Sequence, residues 1–188
     1  MNSQKKILTL SRLNKIVQKL RRQGKTIAFT NGCFDILHFG HVSYLKAAQK
    51  GDRILIVALN SDRSIQEIKG NDRPIVPQKE RAAVLASLSC VDYVTIFNEP
   101  TPLKVIETLR PDVIVKGADW KGKEVVGTQV VKAYGGRVEF IRYVKGFPTT
   151  QMIETIKKKC LKSNTTSHYL TLHDTDFLNC ATTFFSKA

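Results

Sequence analysis

Two histidines, His38 and His41, stand three residues apart in the stretch FTNGCFDILHFGH (Phe29–His41), with Gly40 between them. The stretch runs an apolar strand into Asn31 and Gly32, then Phe34 and Asp35, and only then reaches the imidazoles. At the start of a helix, two imidazoles are good donors to phosphate oxygens, and a helix N-terminus favours anions in any case. Gly40 lets a ligand come close to the backbone. As zinc ligands the pair falls one residue short of the i, i+4 spacing and has no evident third partner. The plainer alternative is a pair of hydrogen-bonded surface histidines. These residue types at this spacing suit charge stabilisation at a phosphate.

The elements that must position the pair follow from periodicity. TIAF (Thr26–Phe29), RILIVAL (Arg53–Leu59), YVTIF (Tyr93–Phe97), DVIVK (Asp112–Lys116) and RVEFI (Arg137–Ile141) are short, β-branched and in several cases almost continuously apolar. Strands covered on both faces have this character. Helical patterns lie between them at 41–49, 78–88, 102–109 and 128–134, and a last one follows Pro148 to about Lys159. Strand and helix in alternation predict an α/β fold, a Rossmann-like, doubly wound parallel sheet of five strands. Such sheets bind ligands at the carboxyl ends of their strands. The first strand is expected to end near Phe29 or Thr30, which makes Asn31–Phe39 a loop at that edge and lets His41 open the next helix.

Composition bounds the rest. At 188 residues the chain has room for one domain with a real core. No apolar run approaches the ~20 residues of a membrane span, and the basic N-terminus is not followed by the apolar core of a signal peptide. Cys33, Cys90, Cys160 and Cys180 form no CxxC pair, which argues against a structural zinc site and suits the cytoplasm. Thirty basic against sixteen acidic side chains leave +14, a balance that favours anionic partners. Eight of those cations fall within residues 1–25, which hold no acid. There Leu10, Leu13, Ile16, Val17 and Leu20 share one helical face, which can pack on its own domain or lie on a membrane. Residues 161–188 are rich in Ser and Thr without helical period and are expected to form a poorly ordered extension. The expected division is therefore a helical segment at 1–24, an α/β domain at 25–160, and that extension.

The HxGH after TNGCFD resembles the signature of the cytidylyltransferase-like nucleotidyltransferases of the HIGH superfamily. KGNDRPIVPQKERAAVLASL, VDYV, TPLKVIETLRPDVIVKGADWKGKEVVG and VVKAYGGRVEFI extend the match over about residues 7–159. The ordered set is similar to one branch, the D-glycero-β-D-manno-heptose 1-phosphate adenylyltransferases, found alone or as the C-terminal half of a bifunctional kinase/adenylyltransferase. With no sugar-kinase segment, the chain resembles the stand-alone form. The resemblance implies AMP transfer from ATP to a sugar 1-phosphate, giving ADP-heptose for lipopolysaccharide core or another surface glycan. It also implies magnesium arriving with ATP, no metal site of the protein's own, a homodimer, and no stable nucleic-acid partner.

It carries roles residue by residue. His38, His41 and Lys46 would stabilise the transferring phosphate, with Lys46 expected on the ligand-facing side of the helix. Thr30, Asn31, Gly32, Phe34, Gly40, Asn60, Arg81 and Gly117 would contact the nucleotide. Asp35, Lys116, Asp119 and Trp120 would meet the substrate. Several of these residues have structural alternatives: a solvated Lys46, a loop-capping Asp35, an ion-paired Arg81 and a core Trp120. The last motif departs from the family pattern Gly-x-Ser-Thr-Thr, reading KGFPTT with Pro148 at the first hydroxyl position. Proline is tolerated in a first helical turn, so Thr149 and Thr150 remain to grip the triphosphate, with weaker binding expected. Tyr143, where the glycerol-phosphate branch carries arginine, favours the heptose branch. Two rivals stay open: a cytidylyltransferase for a small polyol or amino-alcohol phosphate, and a non-catalytic nucleic-acid or membrane-binding protein using the basic arm. That arm lacks the aromatics that stack bases.

Overall fold

A computed structural model describes residues 3–142 and 149–164. Five strands, β1 (Ile27–Gly32), β2 (Ile54–Asn60), β3 (Tyr93–Phe97), β4 (Val113–Gly117) and β5 (Arg137–Ile141), form one parallel sheet in the order β3-β2-β1-β4-β5. Helices α1 (Leu10–Arg22), α2 (Phe39–Ala48), α3 (Asp62–Lys69), α4 (Gln78–Ser87), α5 (Leu103–Leu109) and α6 (Thr128–Ala133) belong with it. Successive residues of each strand feed opposite faces. Ala28, Leu55, Val57, Val113 and Val115 join Leu45 of α2 and Leu85 of α4, while Phe29, Ile56 and Ile114 join Val17 of α1 and Ile106 of α5. Two cores on one sheet explain why its strands read as unbroken apolar runs.

The N-terminal segment is part of this body. Leu13 and Val17 of α1 are fully buried, and Thr9 caps the helix by accepting from the Arg12 amide. The chain before it bridges Ile7 to Val94 and gives the Leu8 amide to the Val94 carbonyl at 2.9 Å, which covers the β3 edge. The apolar face that could have lain on a membrane is thus used inside the fold. Leu13→Ala is expected to lower the unfolding free energy by about 2–4 kcal/mol, read as a shifted urea midpoint with unchanged slope; a loss under 0.5 kcal/mol would show that α1 is dispensable.

Two elements correct the sequence expectation. β1 extends through Asn31 and Gly32, which pair with Ala58 and Leu59, so the loop at its end is shorter than expected and α2 opens at Phe39 with His38 as its N-cap. Helix α3 was not anticipated; Ser61 caps it by accepting from Ser64, and it buries little besides Ile65. By its internal contacts the chain divides after Thr149. Helix α7 (Thr149–Asn164) reaches into the expected extension. Tyr143, Pro148 and residues 165–188 lie outside the described residues. Among the described residues no helix is long and apolar enough to cross a membrane.

Candidate active site

The strand order reverses direction between β1 and β4, so the crevice at their carboxyl ends is where a doubly wound sheet leaves room for a ligand. A cleft of about 440 Å³ opens there. Its floor is Asn31 and Gly32 from β1 and Lys116 and Gly117 from β4. Lys116 Nζ donates to Asn31 Oδ1 at 2.7 Å and ties the two strand ends together. The ammonium lies 4.9 Å from the centre of the Trp120 ring, which is 38% exposed and forms a wall with Asp119. Trp120 is therefore a cleft residue and not a core one. A side chain at Gly32 would meet the Phe34 ring at 3.0 Å. Phe34 itself adopts φ +43° to sit in the cleft lining, a conformation costly for a bulky residue and met most often at functional loops.

The histidines stand at the start of α2. Their ring centroids are 3.8 Å apart and tilted by 31°, and Phe34 closes on His41 at 5.2 Å. His41 faces the cleft and His38 backs it. Burial, then the neighbouring His38 and Lys69, hold His41 down to about 4 against a hydrogen bond that the ring donates to the Ile36 carbonyl; burial also lowers His38. The pair is consequently neutral near pH 7. Nδ1 of each ring is buried with no partner among the described residues. Buried unpaired polar atoms are rare outside functional sites, and here two share a helix N-terminus.

Four residues expected to touch ligand do other work. Thr30 is 1% exposed and its hydroxyl is 2.8 Å from that of Tyr44; since Tyr44 donates to the Val115 carbonyl at 2.8 Å, Thr30 is the donor. Asp35 accepts from Arg73 Nε at 2.7 Å and from the Ile75 and Val76 amides at 2.9 Å. Burial works to raise this carboxyl, but those amides and the Arg73 guanidinium leave it below the ordinary carboxylate range. It is a loop clamp. Arg81 is buried, with Nε on the Val76 carbonyl at 2.8 Å, Nη1 on those of Cys33 and Asn60 at 2.5 and 3.0 Å, and Nη2 on Asp62 Oδ1 at 2.7 Å. Four bonds to protein acceptors leave it little to offer a phosphate. Lys46 is exposed and lies near Cys90, away from the cleft; five residues past His41 is about 140° around the helix.

Asn60 lines the cleft and gives its amide to Ser64 Oγ at 3.0 Å, whereas Gly40 is buried in the first turn of α2. Thr149 and Thr150 open α7. The cleft also takes residues that sequence reasoning passed over: Cys33, Tyr44, Lys69 at the end of α3, and Thr101 between two prolines. Lys69 precedes the helix-ending Gly70, the signal that could have marked it. Among the described residues no group of three or more His, Cys, Asp or Glu is placed to hold a metal ion.

A parallel sheet that opens its switch-point crevice onto a histidine pair and two lysines defines a Rossmann-like α/β protein. The chain belongs to the Cytidylyltransferase-like family, whose model matches residues 29–165. It is 52% identical over 151 residues to bifunctional protein HldE of Syntrophotalea carbinolica, covering 80% of this chain and 31% of that protein. To HldE of Geotalea uraniireducens it is 50% identical over 161 residues, covering 86% and 33%. The chain thus spans about a third of the length of the curated relatives it matches. Among solved structures, the lipopolysaccharide core biosynthesis protein of Thermoplasma volcanium aligns with TM-score 0.52 and 30% identity, covering 64% of this chain and 98% of that one. Pantoate-beta-alanine ligase of Francisella tularensis shares the fold at TM-score 0.57 and 17% identity, covering 74% and 67%.

Proposed function

We propose that this chain transfers AMP from ATP to D-glycero-β-D-manno-heptose 1-phosphate, releasing pyrophosphate and ADP-heptose. The observation that carries the reading is the stacked, neutral His38–His41 pair at the N-terminus of α2, beside a cleft that also presents Lys116 and Lys69. The 50–52% identity to bifunctional HldE proteins and the likeness to a lipopolysaccharide core biosynthesis protein support the choice of sugar.

The reaction asks for charge stabilisation and little else. A sugar phosphate has its second pKa near ~6, so the nucleophilic oxygen is already ionised and no general base is needed. That oxygen attacks the α-phosphorus, the bond to the β-phosphate bridging oxygen breaks, and pyrophosphate carries the electron pair away. Charge builds on the α-phosphate oxygens as the five-coordinate state forms. His41, on the cleft wall, and His38 behind it meet that charge. A phosphate also reverses the balance that keeps the pair neutral, because a nearby anion favours the protonated ring. Magnesium is assigned to the ATP complex, where it neutralises phosphate charge; Asp35, the carboxylate best placed in sequence to help hold it, is already spent on Arg73 and two amides. ATP as donor places the reaction in the cytoplasm.

The test is pyrophosphate release by the purified protein with magnesium, heptose 1-phosphate and either ATP or CTP. Turnover with ATP is the expected result. Turnover with CTP alone would reassign the chain to the cytidylyltransferases of small polyol phosphates, and no turnover with either nucleotide would end the reading.

A further inference from the structure

The two strands that flank the crevice stop pairing just where it opens. β1 is paired to β2 along all six of its residues, but to β4 only at Ala28–Val113 and Phe29–Ile114. The next two positions of that register, Thr30 with Val115 and Asn31 with Lys116, are joined through side chains. Thr30 donates to the Tyr44 hydroxyl and Tyr44 to the Val115 carbonyl, each at 2.8 Å. Lys116 donates to Asn31 Oδ1 at 2.7 Å. Tyr44 is the one member of this set that comes from a helix. It sits in the core with Ala28, Leu45 and Val115. Burial, against the bond from Thr30, holds its phenol above the ordinary range, so the hydroxyl keeps its proton and remains a donor to Val115.

His41 stands three residues before Tyr44, on the same face of α2 and one turn nearer its start. Whatever fixes Tyr44 against the strands therefore fixes where His41 meets the cleft and, through the 3.8 Å stack, where His38 lies behind it. Leu45 and Ala48 hold α2 to the sheet by burial, which is not directional. Among the described residues no other side chain of α2 hydrogen-bonds a strand, and the N-cap His38 makes no side-chain capping bond. The two bonds of Tyr44 thus set the roll of the helix and its height over the crevice. We propose that Tyr44 is the positioning residue of the histidine pair: pinned between β1 and β4 where their ladder ends, it seats the start of α2 so that His41 meets the reacting phosphate. Donors to a developing charge act only while preorganised, and a misplacement of ~1 Å can cost on the order of 100-fold. The kinetic side rests on the nucleotidyltransferase reading, whereas the placement of His41 is measurable without turnover.

The experiment compares wild type, Tyr44→Phe, His41→Ala and the double variant. Phenylalanine keeps the buried ring and deletes the hydroxyl, so the fold is expected to survive with a melting temperature lowered by about 2–4 °C. With ATP and heptose 1-phosphate, Tyr44→Phe is expected to lower kcat about 10- to 30-fold and leave both KM values within about threefold. Added to His41→Ala, it is expected to change kcat by less than about twofold, because residues that act through one another are not additive. A second measurement needs no substrate. Proton NMR of the ligand-free protein follows the His41 imidazole, whose protons feel the ring currents of His38 and Phe34, and their shifts are expected to move in Tyr44→Phe. If wild type turns over neither nucleotide but those protons still move, the nucleotidyltransferase reading fails and the positioning of His41 stands. Unmoved imidazole protons, or the full loss of kcat recurring in the His41→Ala background, would overturn the proposal.

Discussion

Arg81→Met is expected to lower the unfolding free energy by about 3–5 kcal/mol and to depress kcat/KM together with it. The guanidinium is one of the largest fully buried side chains, and it satisfies the carbonyls of Cys33, Asn60 and Val76 as well as the Asp62 carboxylate. Removing it leaves three carbonyls short of a donor, at about 1–3 kcal/mol for each that stays buried, and strands half of an ion pair. Those carbonyls belong to the loop after β1, the end of β2 and the segment before α4. Asp35 ties the same two loops from the other side through Arg73, Ile75 and Val76. Arg81 therefore positions the cleft without touching its contents. Urea denaturation and steady-state kinetics on the same preparation test this. Weak nucleotide binding with full stability would return Arg81 to the phosphates, where the family resemblance had placed it.

His41→Ala is expected to lower kcat by about 100- to 1,000-fold, as the loss of a preorganised donor does at a developing phosphate charge, while stability stays near that of wild type. The pH dependence gives a signature that a merely structural histidine would not show. Burial holds the free ring down to about 4, and a bound triphosphate raises that value, so binding takes up protons and tightens as pH falls through the raised value toward 4. In His41→Ala this dependence is expected to flatten. Calorimetry of α,β-methylene-ATP binding in two buffers of different ionisation enthalpy measures it directly. Wild-type binding with no proton uptake would mean that the imidazole does not meet the nucleotide's charge.

Local pattern carried much of this molecule. The strand at Tyr93–Phe97 and that at Arg137–Ile141 fall where their β-branched and aromatic residues put them, although the second, an edge strand, buries only Ile141. The HxGH segment was legible as a helix start after a strand, and the sheet does bring His41, Asn31, Lys116 and Trp120 to one crevice. Helix α3 escaped because it is eight residues long and Ile65 is its one fully buried apolar residue.

Tertiary structure decided what the charged residues are for. Asp35 lies 38 residues from Arg73, and Cys33 lies 48 from Arg81; no spacing in the chain announces either pair, so a clamp and a phosphate ligand look alike in sequence. Lys46 differs from His41 only by its angle around a helix, and that angle turns it toward Cys90. Lys116 is the opposite case. The resemblance named it beside the substrate, and only the structure shows it 8% exposed with its ammonium on the neutral Asn31 Oδ1. Residue types set which chemistry was possible, and the partner facing each charge set which of them perform it, because a buried charge is stable only with the group that answers it.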